Sequence, residues 1–74
     1  MTLYDFLNSD VTIEGHVVVK IWDEEKNDCT FLYDNDMGID SWTVADEEWI
    51  DYDINYMYPN GLKNDHILVI ELYK

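Results

Sequence analysis

The chain has 74 residues, and its seventeen acidic residues face four lysines and no arginine, which gives a formal net charge of −13. This charge excludes electrostatic binding to a nucleic-acid backbone or an anionic membrane, and it favours basic protein surfaces as partners. An apolar content of 47% is too high for a disordered acidic tail, so we expect one folded domain over residues 1–74.

A short helix is predicted over residues 2–8. Thr2 and Asp5 have the spacing of a capping box, and the carboxylate suits the positive end of the helix dipole. Apolar residues at helical spacing then form one face that can cover a sheet: Leu3, Phe6 and Leu7.

A hairpin follows the helix. Residues 11–22 alternate with period two, which predicts a strand with Val17, Val19 and Ile21 on its core face. The polar residues after this strand predict a turn, and residues 29–33 return as the second strand.

The second half of the chain predicts further strands. A short strand is expected over residues 41–44, whereas residues 45–49 fit either one helical turn or an irregular corner. Alternation resumes over 50–58, where Ile50, Tyr52, Ile54, Tyr56 and Tyr58 are predicted to share one face. Residues 67–73 are apolar on both faces, as in an interior strand. The predicted fold is α+β, with a mostly antiparallel sheet of four or five strands and one short N-terminal helix.

The residues capable of catalysis or metal binding are few. Cys29 falls in a strand and is expected to fill the core, and it cannot form an intramolecular disulfide alone. The histidines have no zinc spacing. The loop 34–40 is rich in aspartate, but its glycine does not stand where a calcium-binding EF-hand needs it. A solvated turn is favoured there over a calcium site of another kind, and we expect no cofactor and no enzyme activity.

No stretch approaches the ~20 apolar residues of a membrane span, and the N-terminus lacks the apolar run of a signal peptide. We therefore expect a cytoplasmic protein that does not bind a membrane.

Two groups of acidic residues are candidates for binding a basic partner. The first lies in the hairpin turn and contains Asp23, Glu24, Glu25 and Asp28. The second is the densest acidic run, and Trp49 within it is predicted to anchor the rim of an interface; its carboxylates are Asp46, Glu47, Glu48, Asp51 and Asp53. Carboxylates at this density can imitate phosphates, but the sequence leaves open whether the two groups share a face.

Three stretches carry a resemblance to a known class of proteins: the opening TLYDFLNSD, the strand VTIEGHVVVKIWDE and the close WIDYDINYMYP…HILVIELY. Over its full length the chain resembles short acidic proteins carried by phages and mobile elements of Gram-positive bacteria. Some of these are anti-restriction or anti-CRISPR proteins that occupy a nucleic-acid groove of their target with carboxylates. The resemblance implies a DNA-mimic-type inhibitor of a nucleic-acid-handling protein.

A second hypothesis is a small adaptor or structural domain that binds another protein through an edge strand or an aromatic patch. The sequence leaves the oligomeric state and the identity of the partner open.

Overall fold

A computed structural model describes residues 1–8, 13–60 and 66–73. The elements are α1 (Leu3–Leu7), β1 (His16–Asp23), β2 (Asp28–Asn35), the 3₁₀ helix η1 (Glu48–Asp51), β3 (Asp53–Pro59) and β4 (Ile67–Tyr73). The sheet order is β2-β1-β4-β3. β1 and β4 run parallel, whereas the other two neighbouring pairs are antiparallel. The predicted α+β class, with one short helix and a mostly antiparallel four-stranded sheet, is confirmed.

The helix α1 begins where its capping residues predict. The Thr2 hydroxyl accepts a hydrogen bond from the backbone N–H of Asp5 at 3.0 Å, and the Asp5 carboxylate accepts one from the Thr2 N–H at 3.2 Å. Leu3 and Leu7 are buried. The helix is tied to the segment before β3, because the Leu3 N–H donates to the carbonyl of Tyr52 at 3.0 Å.

One face of the sheet is covered and forms the core. Val17 and Val19 of β1 lie beside Leu68 and Ile70 of β4 in the parallel register, and both valines are fully buried. α1, η1 and the loop before it supply the cover. The buried cluster consists of Leu3, Leu7, Val17, Val19, Ile39, Val44, Trp49, Ile50, Ile70 and Leu72.

The other face of the sheet centres on Glu71, which has three partners. One carboxylate oxygen lies 3.8 Å from the Lys20 ammonium and accepts a hydrogen bond from the Cys29 thiol at 3.3 Å. The other oxygen accepts a hydrogen bond from the Asn55 amide at 3.1 Å. The ammonium also lies 5.4 Å from the ring centroid of Tyr58. Cys29 therefore belongs to a polar network on the sheet and does not fill the core.

Two sequence predictions about the second half are wrong. Residues 41–46 form turns instead of a strand, although Val44 within them is buried. The register of β3 shifts between Ile54 and Tyr56. Because Tyr56 then lies opposite Glu71 and Tyr58 opposite Val69, these two tyrosines are on the face away from Ile54.

The first predicted strand is shorter than expected. β1 begins at His16, directly after Gly15, whose φ of +92° lies outside the extended region. Ile13 forms only an isolated bridge with Ile39, and the predicted strand residues 11–12 lie outside the described residues.

Candidate functional site: a groove at the acidic end of the sheet

The strand directions bring the first predicted acidic group and most of the second to one end of the sheet. β1 and β4 end there, and β2 and β3 begin there, because β1 is parallel to β4 and antiparallel to β2. The β1–β2 turn therefore lies at the same end as η1, which leads into β3. We call this region the acidic end; it comprises Asp23, Glu24, Glu25, Asp28, Glu48, Asp51 and Asp53.

An open groove of about 650 Å³ lies at the acidic end. Its volume is within the range of about 300–1,000 Å³ that is common for ligand clefts. Its apolar lining residues are Ile21, Leu32 and four aromatic residues: Trp22, Trp49, Tyr52 and Tyr73. Its acidic rim combines the turn residues Asp23, Glu24 and Glu25 with Glu48 of η1. The groove thus joins residues that are more than twenty positions apart in the chain.

The aromatic rings differ in exposure, and this corrects one prediction. Trp49 is only 7% exposed, and its ring centroid lies 6.1 Å from that of Tyr33. It is a core residue that also lines the groove, so the predicted anchor at an exposed rim is wrong for this side chain. Trp22 and Tyr73 are 38% and 47% exposed, and they are the lining rings most open to a partner.

The carboxylates of the turn have different roles. The Asp23 carboxylate accepts hydrogen bonds from the backbone N–H groups of Glu25 at 3.0 Å and Lys26 at 3.4 Å. It therefore stabilises the turn, in which Asn27 adopts a positive φ of +53°, as short polar residues do most readily. The Glu24 and Glu25 side chains are exposed.

Asp28 lies directly opposite Asp23 in the β1–β2 register. Like charges in this position destabilise a strand pair, so the pair contributes negative potential to the acidic end at a cost in stability.

The remaining predicted site residues are not part of the groove lining. Asp46, Glu47 and Asp51 are exposed, and Glu47 precedes η1 as its N-terminal cap residue. Asp53 lies 3.6 Å from the N-terminal ammonium of Met1, so this carboxylate already has a cationic neighbour.

The aspartate-rich loop after β2 has mainly local partners. The backbone N–H and the hydroxyl of Thr43 both donate to Asp40 at 2.8 Å, and these bonds hold the pKa of the Asp40 carboxyl below its ordinary value. Asn35 accepts a hydrogen bond from the Met37 N–H at 2.7 Å. Within residues 1–8, 13–60 and 66–73, no three histidine, cysteine or acidic side chains are placed to share a metal ion.

No helix in the described part of the chain is long and apolar enough to cross a membrane. No protein-family model matches the chain, and neither curated proteins nor solved structures gave a match.

Proposed function

We propose that this chain is a non-enzymatic, cytoplasmic acidic binding protein of the DNA-mimic type, which inhibits a nucleic-acid-handling protein by occupying its basic groove. The observation that carries the proposal is the convergence at one groove of the turn carboxylates with Glu48 of η1. Restriction enzymes and CRISPR effectors are the target classes that the resemblance to anti-restriction and anti-CRISPR proteins suggests. The chain would contact the protein and not the nucleic acid.

The charge density supports this proposal. The longest dimension of the chain is 34 Å, and a DNA duplex of that length carries about 20 phosphates at one charge per ~1.7 Å. The net charge of −13 is therefore roughly two-thirds of that of the duplex it would replace. A potential of this size attracts a groove built to bind phosphates.

The carboxylates are not confined to the acidic end. Glu14 precedes β1 and Asp36 follows β2, so both lie near the opposite end of the sheet, where Asp34 contacts His16. In this proposal the acidic end makes the contact, whereas the distant carboxylates contribute to long-range attraction, which salt screens.

The test compares two variants that remove equal charge at opposite ends. The chain, E25Q/E48Q and the matched control E14Q/D36N are immobilised and exposed to a lysate of a Gram-positive bacterium. Bound proteins are released first with a short DNA duplex and then with salt, and they are identified by mass spectrometry. Purified candidates are then assayed for cleavage of DNA in the presence of the chain.

We expect the duplex to release nucleic-acid-handling enzymes whose cleavage the chain inhibits. Inhibition should weaken roughly tenfold for E25Q/E48Q and stay nearly unchanged for E14Q/D36N. The proposal would be contradicted if neither duplex nor salt released the bound proteins, or if E25Q/E48Q and E14Q/D36N lost equal amounts of inhibition.

The adaptor hypothesis has support of a different kind. Phe31 and Tyr56 are 70% and 60% exposed, and they lie opposite Lys20 and Glu71 on the sheet face away from the core. An aromatic patch of this kind is typical of protein interfaces. This function predicts a partner, or a homodimer seen by sedimentation, whose binding tolerates salt and is lost in F31S/Y56S.

A further inference from the structure

We infer that the groove at the acidic end binds an arginine side chain from a basic segment of the partner. This inference rests on the proposed function and names the group that the partner inserts. The lining combines aromatic rings with carboxylates, and the charged residues among the described lining are all acidic. Lys26, which follows the turn carboxylates, is not part of the lining.

The charge of the rim selects a cationic occupant. Glu24, Glu25 and Glu48 line the groove together with the apolar residues Ile21 and Leu32. A neutral apolar ligand would bring no compensating charge to these carboxylates, and an anionic ligand would be repelled. A second copy of the chain cannot supply the occupant, because the sequence contains no arginine and each copy carries a net charge of −13.

The rings favour arginine over lysine. Trp22 and Tyr73 follow the paired residues Ile21 and Leu72 at the ends of β1 and β4, and both rings are partly exposed. A planar guanidinium stacks on an aromatic face while its N–H groups donate to carboxylates beside it. A lysine ammonium is more strongly hydrated and has no plane to stack, so it uses the carboxylates without the full contribution of the rings.

The groove is large enough for a side chain together with part of its backbone. Its volume of about 650 Å³ is in the range of clefts that hold whole small ligands. Because the groove is open, the residues on either side of the arginine can continue across the acidic rim. We therefore expect the bound segment to be short and basic, with one arginine inserted.

The experiment uses an arginine tetrapeptide and a lysine tetrapeptide of equal charge, titrated against the full chain by calorimetry at low salt. We expect the arginine peptide to bind roughly fivefold more tightly. Trp22→Ala should abolish that preference, because it weakens the arginine peptide more than the lysine peptide. Trp42→Ala is the matched control, because Trp42 is 89% exposed and lies outside the groove lining.

A conservative variant distinguishes loss of the aromatic face from misfolding of Trp22→Ala. Trp22→Tyr keeps an aromatic face and should retain most of the preference for arginine, and circular dichroism checks the fold of each variant. Equal affinities of the unmodified chain for the two peptides, or an equal preference in Trp22→Ala and the unmodified chain, would overturn the inference.

The two charge variants test the proposed function independently of the arginine site. If both peptides bind equally, and binding weakens in E25Q/E48Q but not in E14Q/D36N, the acidic end still binds basic surfaces and only the arginine site is refuted. If each peptide binds E25Q/E48Q and E14Q/D36N with the same affinity, both the arginine site and the acidic contact surface are refuted.

Discussion

Replacing Gly38 with alanine should destabilise the chain far more than replacing Gly15, although both glycines have a φ of +92°. Gly38 lies in a tightly packed loop, where its carbonyl accepts a hydrogen bond from the Tyr33 hydroxyl at 2.6 Å. The next residue, Ile39, exchanges two backbone hydrogen bonds with Ile13, at 3.0 and 3.2 Å.

Two contributions add to the loss of stability: backbone strain, which both positions share, and steric overlap, which occurs only at Gly38. A side chain at either glycine incurs the strain of a positive φ, about 1–2 kcal/mol. At Gly15 a Cβ would meet nothing within 4 Å. At Gly38 it would overlap the carbonyl oxygen of Ile13 and lie 3.1 Å from the Glu14 Cα. Relief of that overlap requires the backbone at Ile13 to move away, which breaks both bridge hydrogen bonds at about 1 kcal/mol each.

We therefore expect a loss of about 1–2 kcal/mol for Gly15→Ala and about 3–4 kcal/mol for Gly38→Ala. A domain of this size has a free energy of unfolding of about 4–11 kcal/mol, so both losses are measurable by urea unfolding monitored by circular dichroism. Losses that agree within about 0.5 kcal/mol would refute the packing argument, because only the shared strain would then remain.

Two further predictions concern pH and capping. Burial and the hydrogen bond to Glu71 raise the pKa of the Cys29 thiol above 9.0, and the Tyr58 hydrogen bond, opposed by burial, raises the pKa of Lys20 above 10.5. The folded chain then holds these protons to a higher pH than the unfolded chain, so both contributions to stability are complete below pH 9.0 and fall as the pH rises through the folded pKa values. Urea unfolding should show this fall in the free energy of unfolding at alkaline pH. If the free energy of unfolding of Cys29→Ala falls just above pH 9.0 as steeply as that of the unmodified chain, the thiol contribution is refuted. Thr2→Ala removes one bond of the capping box and should lower the free energy of unfolding by about 1 kcal/mol, whereas an unchanged midpoint in thermal unfolding would contradict that role.

Local signals in the sequence predicted the helix and the last strand well. The capping pair Thr2 and Asp5 satisfies N–H groups at the start of α1, and this depends only on residues three positions apart. β4 has the predicted bounds of 67–73, because an apolar run between two other strands needs no precise register to be recognised.

The failures of sequence reasoning come from register and from contacts between distant segments. The extra residue in β3, Asn55, reverses the faces of Tyr56 and Tyr58, and no pattern of apolar residues reveals it, because tyrosine suits either face of a sheet. Val44 falls in the predicted strand 41–44, but it lies in a turn and is buried in the core cluster.

The groove depends on strand order, which the sequence did not predict. The parallel pairing of β1 with β4 brings the end of β4, with Tyr73, to the end of β1, with Trp22, and both residues line the groove although they are far apart in the chain. Sequence reasoning therefore misses most of the apolar part of the groove, namely Ile21, Trp22, Leu32, Tyr52 and Tyr73. The signal in the sequence is weak: Trp22 precedes the acidic turn, and Tyr52 stands between Asp51 and Asp53.

The two parts of the groove should control different steps of binding. Carboxylates act over a Debye length of about 8–10 Å and accelerate encounter, so variants such as E25Q/E48Q should mainly lower the association rate and its dependence on salt. The rings of Trp22 and Tyr73 act only in contact, so their loss should mainly raise the dissociation rate. A surface used only for solubility would produce neither pattern, because its charges would be interchangeable with those of Glu14 and Asp36. A binding site at the acidic end is therefore distinguished from a generally acidic surface by two effects: carboxylate variants there change the association rate, and ring variants change the dissociation rate.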